Sequence, residues 1–295
     1  MPGFVRIIWK VGFDAFWHFT EDDGWAMASH VALSILLAIF PFLIFGTTLA
    51  TFLGADQFSD TAVHLIFDNL PTTIADPIAR EVTQVLTIPR GGLLTISVLA
   101  AFYFASNGVE ALRISLNRAY RVVEPRPWYI TRPISLGYVL AAVMGLVLLS
   151  IFLVAAPLAL RYAGRWVPWA TDLLTVVDNW SSWGAIATVT IALLVCHLYL
   201  PAGRRRFLDV VPGIVLTMIA WAAGAYVFGY YISTFANYAA TYAGLASIMI
   251  ALVFLYMTGV IFILGAEIDA ALLKYRVREL IARSRERDAE PATDP

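Results

Sequence analysis

Five side chains between Ser106 and Arg121 have types and spacing that could do chemistry in an otherwise apolar setting. Ser106, Glu110, Arg113, Asn117 and Arg121 recur at steps of four, three, four and four. A helix would carry them on one side, with Val109, Leu112, Leu116 and Ala119 on the other. Upstream, Gly92 to Ala105 is almost wholly apolar, so a carboxylate and a guanidinium fall where hydrocarbon gives way to headgroups. Ionisable groups at that depth are costly and generally face protein or water. Such a stripe could gate a cavity or hold a headgroup, since the planar fork of arginine binds phosphate bidentately. It could equally be an interfacial helix whose Glu110–Arg113 pair settles its own charges, a contact worth about 0.2–0.5 kcal/mol.

A second group lies in Gly265-Ala266-Glu267-Ile268-Asp269, after a long uncharged run and before Lys274 and Arg276. If a helix ends there, the macrodipole disfavours a carboxylate, and something else must hold it. The expected partner is Arg113 or Arg118 from the second span, with Lys274 the plainer alternative. Glu110, Arg113, Asn117, Glu267 and Asp269 are therefore the candidate substrate-binding or gating residues. Ser29, His30, Ser106 and Asn107 are further polar positions inside apolar runs. His30 could relay protons or touch a substrate, or it could simply hydrogen-bond a neighbouring helix. The same choice applies to His197.

Soluble-enzyme chemistry has little to work with. His18, His30, His64 and His197 are scattered, and no HExxH, Walker A, GxSxG or GxGxxG pattern occurs. Cys196 is the single cysteine, which excludes an intramolecular disulfide and a Cys-rich metal site. We expect no enzyme activity, no cofactor and no metal. Arg204-Arg205-Arg206 fits a cytoplasmic turn better than a nucleic-acid patch.

The elements that must position these residues are membrane helices. Of 295 residues, 60% are hydrophobic and 14% charged, against roughly a quarter charged in soluble domains. An all-α polytopic fold is expected, with six spans at 26–53, 92–112, 134–160, 183–200, 210–233 and 243–273, each near the roughly 20 residues a bilayer core requires. Residues 1–25 should hold an interfacial amphipathic helix, since Arg6, Lys10 and Asp14 mix with Phe4, Ile7, Ile8, Val11, Phe16 and Trp17. The first apolar run starts near Ala26, directly after Glu21-Asp22-Asp23, and should be retained as a span. Sixteen of the 20 Lys and Arg residues fall on one side of this scheme, which makes both termini cytoplasmic. The membrane domain covers 26–275 and includes a folded, acidic outer loop at 54–90. A second outer loop carries Trp166, Trp169, Trp180 and Trp183, a third connection at 234–242 is uncharged, and 276–295 is a polar tail expected to be disordered.

Several stretches carry a resemblance. They are Ala28-Ser29 through Phe40-Pro41, Ala111-Leu112-Arg113 with Leu116-Asn117-Arg118-Ala119-Tyr120, and Leu200-Pro201 with the arginine turn. Val211-Pro212-Gly213 leading to Trp221, Tyr242 to Leu245, and Leu255-Tyr256 through Gly265-Ala266-Glu267 complete the set. On these the chain, from Gly24 to Lys274, resembles the YihY / virulence factor BrkB family, whose older label is ribonuclease BN-like. Where that family has Asn after Gly-Ala-Glu-x, this chain has Asp269. The resemblance implies a bacterial inner-membrane protein with six helices, linked to envelope integrity, resistance to host killing and export of lipids or solutes. No nuclease site can be assembled from the residues present. The expected function is movement of a lipid-like or amphiphilic envelope component, with membrane lipids and further copies of the chain as partners and no nucleic acid. The alternative is a structural scaffold of the envelope, in which the polar residues only join helices.

Overall fold

The computed structural model describes residues 2–52, 93–150, 169–241 and 243–289. Seven helices run through these residues, with no strand among them: α1 (Pro2–Glu21), α2 (Gly24–Phe52), α3 (Leu93–Ala119), α4 (Trp128–Ser150), α5 (Trp169–Tyr199), α6 (Phe207–Thr241) and α7 (Ala243–Ala289). The outer loop expected at 54–90 lies outside the described residues. Among the described residues two stretches, Phe207–Ile232 and Ile248–Arg278, are long and apolar enough to cross a membrane, and Gly24–Ile39 and Ile186–Tyr199 are shorter apolar runs.

Helices α2, α3, α6 and α7 make the densest contacts, and α7 touches α1, α2, α3 and α6. The buried core gathers Phe19, Ala28, Leu116, Leu200, Val210 and Ile263 at the end of the bundle where the charges lie. Elsewhere large apolar side chains point outward, among them Leu140 and Met144 on α4, Ile191 on α5, and Ile219 and Val227 on α6. Exposed apolar area on that scale suits a surface solvated by hydrocarbon.

The helices outrun the apolar segments. α5 begins at Trp169, inside what reads as a loop, α6 continues to Thr241, and α7 passes the expected end at Leu273 and reaches Ala289, where a disordered tail was expected. Hydropathy marks the width of a bilayer, whereas a helix stops at a backbone signal. After Gly265 there is no glycine or proline until Pro291, so α7 has no reason to stop. Glu267 and Asp269 are thus mid-helix, and the macrodipole argument for a partner does not apply to them.

α1 packs on α7 by one side. Val11 and Ala15 pack on Ala271 of α7, while Ile8, Trp9, Phe13, Phe16 and Trp17 are exposed. At the α1–α2 corner Asp23 takes a left-handed φ of 55°. Gly24 follows it because a side chain there would run into Phe19. α6 and α7 approach closely at Gly213, where a Cβ would collide with the Gly265 carbonyl and the Asp269 carboxyl.

Candidate functional site

α3 ends with its last turn tightened around Arg121. The Arg121 N–H donates to the Arg118 carbonyl and the Val122 N–H to the Asn117 carbonyl, both at 2.9 Å. Those are the two bonds of a Schellman cap. Its left-handed position, usually glycine, is filled by Arg121 at φ 54°. The side-chain stripe therefore breaks at its last member, and Arg121 leaves the face shared by Glu110, Arg113 and Asn117.

Arg113 and Asn117 meet at a residue the stripe does not contain. Glu124, in the segment after α3, accepts hydrogen bonds from Arg113 Nη1, from Asn117 Nδ2 at 3.0 Å and from Arg126 Nε at 2.6 Å. Hydrogen bonds from Arg126, aided by Asn117 and Arg113 and opposed by burial, pull the Glu124 carboxyl down to about 2. Arg113 is buried and also pairs with Glu110, its Nε 3.3 Å from Glu110 Oε2. Glu110 in turn accepts from Ser135 at 2.9 Å and Thr131 at 3.4 Å on α4. Asn117 uses its other end to accept the Ala202 N–H at 2.6 Å. One ion-paired network thus joins α3, α4 and the α5–α6 turn. Beside it, Arg132 Nη1 donates to Asn107 Oδ1 at 2.6 Å and to buried Ser106 at 3.3 Å.

Glu267 and Asp269 belong to a separate group. Glu267 is 1% exposed and accepts from Arg121 Nη2 at 3.1 Å. The expected partners are otherwise engaged: Arg113 with Glu110 and Glu124, Arg118 with Asp23 at 2.9 Å, and Lys274 with Asp14 at 2.9 Å. Asp269 accepts the Gly213 N–H at 2.6 Å. The Tyr120 hydroxyl lies 3.3 Å from Asp269 Oδ2 and 2.8 Å from His197 Nδ1. It can accept from His197 and donate to Asp269, a chain that leaves His197 Nε2 bare. That atom is buried with no partner among the described residues. The Arg205 guanidinium sits 3.8 Å over the Tyr120 ring. Burial, reinforced by the Asp269 charge, raises the Tyr120 hydroxyl well above its ordinary value.

Ser29 and His30 fall on the exposed side of α2, with Ser29 bonded back to the Trp25 carbonyl at 3.0 Å. They join neither group.

Two cavities open beside these networks. One of about 490 Å³ is lined by Tyr120, Arg121, Arg204, Arg205, Lys274 and Arg278, among others. The other, of about 880 Å³, lies between α1 and α7. Trp9, Phe13 and Trp17 contribute aromatic surface to its lining, and Lys10, Lys274 and Arg278 contribute charge. Neither is lined by Glu110 or Glu267. Among the described residues no group of His, Cys, Asp and Glu is arranged to hold a metal ion.

The sequence profile described as virulence factor BrkB matches residues 15–290. The chain belongs to the BrkB family. A ribonuclease-like protein, YfkH of Bacillus subtilis, is 32% identical to this BrkB-family chain over 263 residues, 88% of the chain and 94% of YfkH. A UPF0761 membrane protein of Rhodospirillum centenum is 28% identical over 89% of the chain, which spans 57% of that longer relative. The UPF0761 membrane protein YihY of Salmonella arizonae is 28% identical over 79% of the chain and 78% of YihY. No solved structure matches the chain significantly. The YihY and BrkB resemblance read from the sequence is thereby shown, and with it membership of a membrane-protein family.

Proposed function

We propose that this BrkB-family protein spans the bacterial inner membrane six times, with both termini cytoplasmic, and moves a lipid-like or amphiphilic envelope component across or within that membrane. The observation that carries this reading is the 880 Å³ cavity between α1 and α7, which combines aromatic and cationic lining at the charged end of an apolar bundle. Its volume lies in the roughly 300–1,000 Å³ range of small-molecule sites. An amphiphile needs both kinds of surface at once, and an interfacial helix such as α1 supplies them at headgroup depth. The charge asymmetry of the sequence supports the orientation.

On this reading Glu110, Arg113 and Asn117 form the frame of the site rather than its contact surface, because their charges and amide are already matched within the protein. No covalent step is part of the proposal. The scaffold alternative keeps one observation in its favour, the saturated pairing of Glu110, Arg113 and Glu124, which is what inter-helix glue looks like.

Lipid translocation in proteoliposomes of native lipid extract tests the choice. Wild type should exceed empty liposomes, and a Phe13→Ala/Trp17→Ala chain, which strips aromatic lining from the cavity, should translocate more slowly. Folded wild-type protein that performs no better than empty liposomes would replace transport with the scaffold.

A further inference from the structure

We propose that the smaller cavity binds a phosphate-class anion, either the phosphorylated headgroup of a membrane amphiphile or a free phosphate. Five cationic side chains line it: Arg121, Arg204, Arg205, Lys274 and Arg278. Two are balanced, Arg121 by Glu267 at 3.1 Å and Lys274 by Asp14 at 2.9 Å. The other three face no carboxylate within ion-pair distance among the described residues. Surface arginines at a membrane face are ordinary, but Arg205 is not one of those. Its Nη2 donates to the Ala202 carbonyl at 3.0 Å, while its Nη1 is buried with no partner. A buried guanidinium N–H without an acceptor carries a desolvation cost that a bound anion would remove.

The backbone fixes this arrangement. Gly203 turns at φ 88° directly ahead of Arg204 and Arg205, and the Ala202 N–H is held by Asn117. Across the cavity, Arg121 is set by its own left-handed cap. Arg205 is further clamped against the Tyr120 ring. Guanidinium groups brought together this way present forked donors, the geometry that phosphate oxygens accept. Carboxylates would satisfy fewer of these donors, having one oxygen fewer. Lys274 and Arg278 also line the aromatic cavity beside it, so a headgroup bound here would lie next to a place for its tail. That last extension rests on the proposed transport of an amphiphile, whereas the anion site does not.

The test is equilibrium binding to the full chain in neutral detergent micelles, followed by calorimetry. The probes are dioctanoyl phosphatidic acid, dioctanoylglycerol and inorganic phosphate. Phosphatidic acid should bind wild type and bind Arg204→Gln/Arg278→Gln at least about tenfold more weakly, as expected for loss of two charge-assisted contacts. Arg6→Gln/Arg206→Gln removes the same charge outside the cavity lining and should bind like wild type. Inorganic phosphate that competes at a similar concentration identifies free phosphate as the source, and failure to compete identifies the lipid. If the first double variant does not fold, Arg278→Gln alone, at an exposed helical position, carries the comparison. Dioctanoylglycerol binding as tightly as phosphatidic acid, equal losses in both double variants, or no binding to wild type would each overturn the site. Phosphatidic acid binding without translocation in proteoliposomes would leave the site standing and remove the transport reading.

Discussion

Replacing Glu124 by glutamine probes the network that joins α3, α4 and the α5–α6 turn. A carboxyl drawn from 4.5 to about 2 corresponds to about 3 kcal/mol of folding free energy at neutral pH, at about 1.4 kcal/mol per pH unit of displacement. The side chain is 18% exposed, so solvent screening trims that to about 2 kcal/mol. The sign follows from the direction of the displacement. A depressed carboxyl stabilises fully above its unfolded value near 4.5, and the contribution fades as pH falls towards 2. Thermal unfolding in detergent, followed by tryptophan fluorescence, should show Glu124→Gln melting about 4–8 °C below wild type at pH 7. The gap should narrow below pH 4.5 and close near pH 2. Equal melting temperatures at pH 7, or a gap that persists undiminished at low pH, would refute the assignment of Glu124 as the hub.

Two further substitutions separate backbone from side-chain effects. Gly213→Ala drives a Cβ into the Gly265 carbonyl and the Asp269 carboxyl and should abolish the monodisperse size-exclusion peak. Gly224→Ala meets only the flexible ends of Met257 and Ile261, at 3.2–3.3 Å, and should leave that peak unchanged. Arg121→Gly should destabilise the wild-type chain, because buried Glu267 loses its partner, yet stabilise a Glu267→Gln chain by about 1 kcal/mol through relief of the left-handed residue. Chemical denaturation of the four-member cycle would show that change of sign, and the same sign in both backgrounds would contradict it.

Much of this was legible in the sequence, and the gaps have physical causes. Period 3.6 is enough to bring Glu110, Arg113 and Asn117 together, whereas the apolar residues of α1 do not mark its buried face: Val11 is buried while Ile8, Phe16 and Trp17 are exposed. The stripe misleads at Arg121, where periodicity continues on paper while the backbone turns left-handed. Glu124 lies beyond the break, outside any helical pattern, so nothing local marks it as the acceptor of three side chains. The Tyr120, His197 and Asp269 contacts span 77 and 149 residues and exist only after α3, α5 and α7 pack. In apolar helices hydrophobicity does not tell inside from outside, and for that reason Ser29 and His30 could not be assigned a face beforehand.

α7 has one more consequence. At 1.5 Å per residue its 47 residues make a rod about 70 Å long, more than twice the roughly 30 Å of a hydrocarbon core. No proline interrupts it, so it lacks a leading cause of sharp helix kinks. Within the bundle it is gripped at Gly265 by α6, and at Ala271 and Lys274 by α1. A rotation of about 5° about that grip would move the tip at Ala289, roughly 25 Å away, by about 2 Å. The helix is built as a pointer, turning small rearrangements among packed neighbours into displacements that another molecule docked at its tip could sense.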